Sequence, residues 1–250
     1  MTVMTANEIV GREEWDAARD ELLTREKEQT RLEDELAAQR RALPWTPVEK
    51  GYTLETEAGP RTLVELFEGR SQLSMYHFMF GPDFTDGCPT NSSIADAFDP
   101  LVPHLTARDV TMICVSRAPL DKLLAYRQRM GWSFNWASSY ESEFSFDFGG
   151  STRPQVREAG LQAVPDGMPP IALRNAEACG VDVGTYISEG FAFATFARQG
   201  DDVYLTYSSG GRGVEFLMTY YPVLDRTPRG RDEGEEFQMW LRRHDEYGGA

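Results

Sequence analysis

Residues 73–89 read LSMYHFMFGPDFTDGCP, and this stretch decides the fold. An apolar segment leads through a loop of Gly, Pro and Asp to a cysteine directly followed by proline. Leu73–Phe80 is apolar except for Ser74 and His77, which suits a strand covered on both faces. Proline is favoured at the first position of a helix, so Pro89 predicts a helix start with Cys88 as its cap residue. The free N–H groups of Thr90 and Asn91 then point at the sulfur, together with the partial positive charge of the helix start. Both favour thiolate over thiol. A helix terminus is worth about 0.3–2 kcal/mol, which at about 1.36 kcal/mol per pKa unit lowers the cysteine pKa by at most about 1.5. A larger drop requires direct hydrogen bonds from Asn91 or a cation such as Arg117.

Working downstream, the apolar spacing of Ile94, Ala95, Phe98 and Leu101 predicts one helix from Pro89 to His104. Val110–Ser116 reads as a second buried strand and Leu120–Met130 as a second helix, with the two strands parallel through a right-handed crossover. Phe191–Arg198 and Val203–Tyr207, joined by Gln199-Gly200-Asp201, predict a β-hairpin, and a helix from Arg212 to Val223 closes the unit. This order of elements is that of the thioredoxin fold, an α/β class. Upstream, Ala58-Gly59-Pro60 separates two short strands, and Thr62 with Glu65 forms a capping box for a short helix through Phe67. Their addition gives the larger, peroxiredoxin-type variant. The expected plan is a helical arm over 1–45, a thioredoxin-like domain over 46–225 with an irregular insertion at about 149–190, and a charged tail over 226–250.

In the arm, Trp15, Ala18, Leu22, Leu32 and Leu36 follow a three-four spacing that Arg25 and Gln29 interrupt. The broken stripe predicts a helix that packs on its own domain or on a second subunit, which makes a homodimer through this helix a candidate assembly. In the tail, Phe237, Trp240 and Leu241 predict a short helix, and His244-Asp245-Glu246 reads as a solvated run.

The 250 residues are 41% hydrophobic and 26% charged, enough to bury a core. With 40 acidic and 25 basic residues the net charge is −15, which disfavours nucleic acid and anionic membrane surfaces as partners. No apolar run reaches the length of a membrane span, and residues 1–14 show no secretory signal. Cys88, Cys114 and Cys179 form no CxxC pair and leave an odd count, so a reducing, cytoplasmic setting is expected.

The segments 11–45, 66–89, 107–132 and 225–233, with the strings YHFMF at 76–80 and VSRAPL at 115–120, resemble a bacterial thioredoxin-like family catalogued as domain of unknown function 899. The resemblance implies a fold related to peroxiredoxins and a thiol–disulfide role. The chain departs from the family's CPxC pattern, because Cys88-Pro89-Thr90-Asn91 ends in asparagine and supplies no resolving thiol there. Thr85-x-x-Cys88 after Pro82 is similar to the peroxiredoxin string PxxxTxxC but is one residue short. Ser188-Glu189-Gly190 replaces the arginine and the cis-proline expected before the late hairpin.

These residues define the candidate site. Cys88 is the expected nucleophile, with Thr85, Pro89, Thr90, Asn91 and Ser92 as its surroundings. Arg117 and His77 are secondary catalytic candidates, the one reaching the sulfur from its strand end and the other from below. Trp132 and Trp136 are expected to wall a small apolar pocket at the strand ends. Cys114 reads as a buried small hydrophobe, and Cys179, in the insertion, could reach Cys88 although nothing in the sequence positions it. No metal and no cofactor is expected. The functional expectation is a monothiol thioredoxin-like oxidoreductase acting on a small thiol or a protein disulfide. Its rival is a non-catalytic binding or scaffold protein on the same fold.

Overall fold

A computed structural model describes residues 7–153, 168–235 and 237–248. Residues 154–167, the middle of the expected insertion, lie outside the described residues.

The two apolar runs form the centre of the sheet. Strand β4 (Gln72–His77) pairs in parallel with β5 (Val110–Ser116), with Tyr76 opposite Cys114. On the other side of β4 lies the hairpin of β7 (Ala192–Gln199) and β8 (Asp202–Gly210), antiparallel to it. The order β8-β7-β4-β5 is the thioredoxin-like core. A strand absent from the sequence expectation, β6 (Trp136–Ser138), extends it in parallel beside β5. The early hairpin of β2 (Thr53–Thr56) and β3 (Gly59–Thr62) then adds to β6, the peroxiredoxin-type extension. At the opposite edge β1 (Thr46–Pro47) pairs with β8. The capping box is present: the Thr62 amide donates to Glu65, and the Glu65 amide donates to the Thr62 hydroxyl at 3.3 Å.

Strand alternation divides the core. Tyr76, Phe78, Cys114 and Trp136 face the layer that holds α2 (Pro89–Ala95), α3 (Phe98–Thr106) and α4 (Leu120–Arg129). Leu73, Met75, Ile113, Val115 and Phe196 face the other layer, which includes α5 (Phe144–Phe148).

Proline and glycine account for the main departures from expectation. The single helix expected over Pro89–His104 is two, broken after Ala95. Pro100 lacks an N–H and its ring clashes with the preceding turn, so a new helix starting at Phe98 keeps it in a first turn. The helix expected from Arg212 to Val223 is a 3₁₀ segment (Gly211–Leu217) followed by α8 (Tyr221–Leu224). Gly211 sits at φ 55°, and Pro222 is again tolerated only in a first turn. The described part of the insertion is ordered as α6 (Pro170–Ala178) and α7 (Val183–Ser188) rather than irregular. Pro170 opens α6, and the Asp182 side chain accepts from the Thr185 amide to cap α7.

The arm is helical as expected, α1 (Arg12–Arg41), but it buries no residue. Among the described residues nothing covers its apolar positions Trp15, Leu22 and Leu32, each more than half exposed. In the tail His244, Asp245 and Glu246 are exposed as expected, but Leu241 and Arg243 are 1% and 3% exposed, and the helix expected through Phe237, Trp240 and Leu241 is a series of turns. Among the described residues no helix is long and apolar enough to cross a membrane.

Candidate functional site

The candidate site forms where β4 runs out past the end of the sheet. The Phe78 amide still donates to the Val115 carbonyl at 2.9 Å, and the loop then folds back so that the Cys88 amide donates to Met79 at 3.3 Å. Gly87 makes this return feasible, since a Cβ there would lie 2.7 Å from the Phe78 ring and 2.8 Å from Tyr126. Cys88 caps α2 and Pro89 is its first residue, as the sequence predicts.

From the other side comes α6. Cys179 is its C-cap, and Gly180 follows at φ 72°, the left-handed conformation that ends helices and favours glycine. A Cβ on Gly180 would fall 2.5 Å from the Thr85 hydroxyl oxygen. The Thr85 amide donates to the Cys179 carbonyl at 2.8 Å, which joins the two cysteine-bearing turns. The Cys179 side chain lies near enough to Cys88 for each thiol to shift the pKa of the other.

Three further groups converge on Cys88. The Tyr186 hydroxyl, from α7, is 3.3 Å from the sulfur. The Asn175 amide nitrogen, from α6, is 3.8 Å from the sulfur and 3.2 Å from both the Tyr186 hydroxyl and the Thr90 Oγ1. Asn91 is buried and held by its carbonyl oxygen, which accepts from the Tyr76 hydroxyl at 2.8 Å and the Met79 amide at 3.1 Å. Burial raises the Cys88 pKa, but the Cys179 thiol, the Tyr186 hydroxyl and the Asn91 backbone and side chain outweigh it. The net result is a fall from the ordinary 9.0 to about 6. The drop exceeds what a helix terminus supplies, and direct donors account for the excess. Cys179 is pushed the other way, by its bond to Cys88, by burial and by the Cys88 charge. Tyr186 is raised too, by burial and then by the Cys88 charge. These shifts run in the direction that favours a thiolate at Cys88 with Cys179 and Tyr186 protonated.

A family model described as bacterial protein of unknown function (DUF899) matches residues 4–247. The chain belongs to this family. No match to a curated protein was found. Among solved structures, a cysteine-to-serine mutant of peroxiredoxin Q from Xanthomonas campestris is 13% identical over 69% of this chain and 89% of its own, with a TM-score of 0.42. Peroxidoxin BcpB of Mycobacterium tuberculosis is 11% identical over 71% of this chain and 94% of its own, at 0.41. A putative protein disulfide isomerase of Bacteroides thetaiotaomicron is 13% identical over 77% and 98%, at 0.36. Likeness at this level carries no residue roles over to this chain.

Within this DUF899 protein, several expected site residues lie elsewhere. His77 faces the opposite layer from Tyr76 and Phe78, because strand side chains alternate, so it cannot line the space under Cys88. It stacks on Phe144 with both ring nitrogens buried and unpaired, and burial drives its pKa down to about 3. Arg117 does not reach the sulfur. Its guanidinium pairs with Glu189 at 2.5 Å and lies 4.3 Å over the Phe146 ring. Trp132 and Trp136 are buried core residues whose N–H groups donate to Asp96 and to the Ser116 hydroxyl, and neither lines the cavity nearest the cysteine loop. A cavity of about 170 Å³ lies instead between Pro82, Phe84, Arg117, Thr152 and Glu189. Phe84 stacks on Tyr186, which stands between this cavity and the sulfur.

Of the other candidates, Thr85 acts through its amide and Thr90 through Asn175, while Ser92 donates to the Cys88 carbonyl rather than to its sulfur. Cys114 is buried in β5 with its pKa pushed well up by burial, as a small hydrophobe should be. Cys179 is readable as able to reach Cys88 but not as placed there, and Asn175, Tyr186 and Arg243 escape a sequence reading. The pair Cys179-Gly180 behind a Pro-Pro helix start is the readable signal for the first, since glycine after a helix fixes where its last residue points. Arg243 carries no signal, because a buried arginine in a charged tail looks like any solvated one.

Proposed function

We propose that this protein is a dithiol oxidoreductase in which Cys88 is the nucleophile and Cys179 its resolving partner. The monothiol reading is replaced because the Thr85 amide bonds the Cys179 carbonyl at 2.8 Å and so joins the two cysteine-bearing turns, with Cys179 near enough to lower the Cys88 pKa, and that junction carries the proposal. A second thiol outside CPxC supplies what Asn91 does not. The oxidant is a small disulfide, RSSR′, admitted when Tyr186 swings aside, since Cys88 is 0% exposed and a folded protein disulfide would need a far larger opening. The Cys88 thiolate attacks one sulfur of RSSR′, forming Cys88–S–S–R and releasing R′S⁻. The Cys179 thiol gives up its proton and attacks the Cys88 sulfur, closing the internal disulfide and releasing RS⁻. Two electrons pass from the protein to RSSR′; the Cys179 proton and one proton from water convert the released RS⁻ and R′S⁻ to RSH and R′SH. Excess small thiol drives the reverse reaction and regenerates the dithiol.

Oxidised glutathione tests this. The wild type is expected to lose two thiols and carry no glutathione, whereas Cys179→Ser retains one glutathione on Cys88. A stable glutathione adduct on wild-type Cys88 restores the monothiol reading. Inertness of both proteins favours the binding or scaffold alternative.

For the arm we infer a second copy of this chain as the partner. Trp15, Leu22 and Leu32 are each more than half exposed on a helix that buries nothing. Antiparallel pairing would set Glu13 and Glu14 of one copy against Arg40 and Arg41 of the other. Sedimentation should give a dimer that Leu22→Glu with Leu32→Glu converts to a monomer; a monomeric wild type overturns this.

A further inference from the structure

We propose that Arg243, in the tail, is the positioning residue that holds Cys88 and Cys179 together; this rests on reading the two cysteines as a redox pair. One guanidinium spans both cysteine-bearing turns. Its Nε and Nη2 donate to the Gly87 carbonyl at 3.0 and 2.8 Å, and Nη2 also donates to the Ala178 carbonyl at 2.7 Å. Gly87 and Ala178 are the residues immediately before the two cysteines. Each carbonyl therefore shares a peptide plane with a cysteine N–H, and each of those N–H groups is also bonded. Cys88 donates to Met79 at 3.3 Å and Cys179 to Asn175 at 2.9 Å. Both planes are thus fixed at both ends, and Arg243 is the group they share.

Arg243 is itself held. Its Nη1 donates to Glu246 at 2.6 Å, and the side chain is 3% exposed. The tail is tied to three helices or their ends. Arg174 of α6 donates to the Leu241 carbonyl, Arg129 of α4 pairs with Asp245 at 2.8 Å, and the His244 ring nitrogen lies 2.6 Å from Asp96. A planar fork can serve two carbonyls and a carboxylate at once, whereas a lysine ammonium on its flexible stem cannot hold that geometry.

Loss of the fork frees two buried carbonyls and lets the turns separate, which lowers the effective concentration of one thiol at the other. In full-length Arg243→Met the equilibrium constant for Cys88–Cys179 disulfide formation against glutathione should fall at least tenfold, about 30 mV. Arg243→Lys should fall in the same direction by at least threefold. The pH midpoint of Cys88 alkylation should rise in both, because the Cys179 donor withdraws. His244→Ala, which loosens the tail without touching either turn, should leave equilibrium and midpoint unchanged. A wild type that closes no internal disulfide refutes the redox pair; the alkylation midpoint then still decides whether Arg243 sets the approach of the two thiols. An unchanged equilibrium and midpoint in Arg243→Lys overturns the role of Arg243 whether or not Arg243→Met folds. An equal loss in His244→Ala does so as well, since it marks general loosening.

Discussion

The Thr85 amide donates to the Cys179 carbonyl at 2.8 Å, so the loop that delivers one cysteine is hydrogen-bonded to the turn that carries the other. The two cysteine-bearing turns meet through their backbones. Helix α6 runs up to that bond, Gly180 turns the chain away after it, and the cysteine between them lies near enough to Cys88 to lower its pKa.

The Cys88 thiolate should titrate with a midpoint near 6, followed by thiolate ultraviolet absorbance or alkylation rate, and the signal should vanish in Cys88→Ser. Its folded pKa lies below the ordinary 9.0, so the native state binds fewer protons than the unfolded chain between the two values. Stability relative to Cys88→Ser should therefore climb from about pH 6 to pH 9 and be lost as pH falls through 6. A flat difference across that window contradicts the assignment.

Tyr186→Phe removes the phenol that donates to the sulfur. A hydrogen bond to a charged group is worth about 1.5 kcal/mol or more, so the Cys88 midpoint should rise by about 1. An unchanged midpoint would mean that Tyr186 only fills space.

Arg117→Ala should leave the Cys88 midpoint where it is, because Arg117 answers Glu189 and not the sulfur. Stability should nevertheless fall by about 3–5 kcal/mol in urea denaturation, since Glu189 is left charged and buried. A shifted midpoint would restore Arg117 to the site.

Asn91→Cys recreates CPxC in sequence, yet it should destabilise the protein by about 1–3 kcal/mol for each buried group it orphans. The Asn91 carbonyl is the acceptor for the Tyr76 hydroxyl and the Met79 amide, which a thiol does not replace. Chemical denaturation of the variant measures this, and unchanged stability contradicts it.

The parts of this molecule that are local in sequence are legible in it. An apolar run before Gly81-Pro82, and Cys88 before Pro89, place a buried strand and a capped helix by rules that span a few residues. His77 is misplaced by a single step of strand alternation: its neighbours Tyr76 and Phe78 face the Cys88 layer, and it does not. The groups that surround Cys88 and hold its turn come from positions 175, 179, 186 and 243, far from Cys88 in the chain, and no spacing rule connects them. The tail misleads for a different reason. Its charges are spent on buried carbonyls and on Arg129, yet a charged residue reads as solvated until its partner is known.

The redox pair itself is tested most directly by peptide mapping after oxidation. The full-length protein is oxidised with a small disulfide, alkylated, digested without reduction and analysed by mass. The peptide containing Cys88 should be found linked to the peptide containing Cys179, with Cys114 recovered as an alkylated free thiol. Recovery of Cys179 as a free thiol while Cys88 carries the oxidant's fragment would contradict the account.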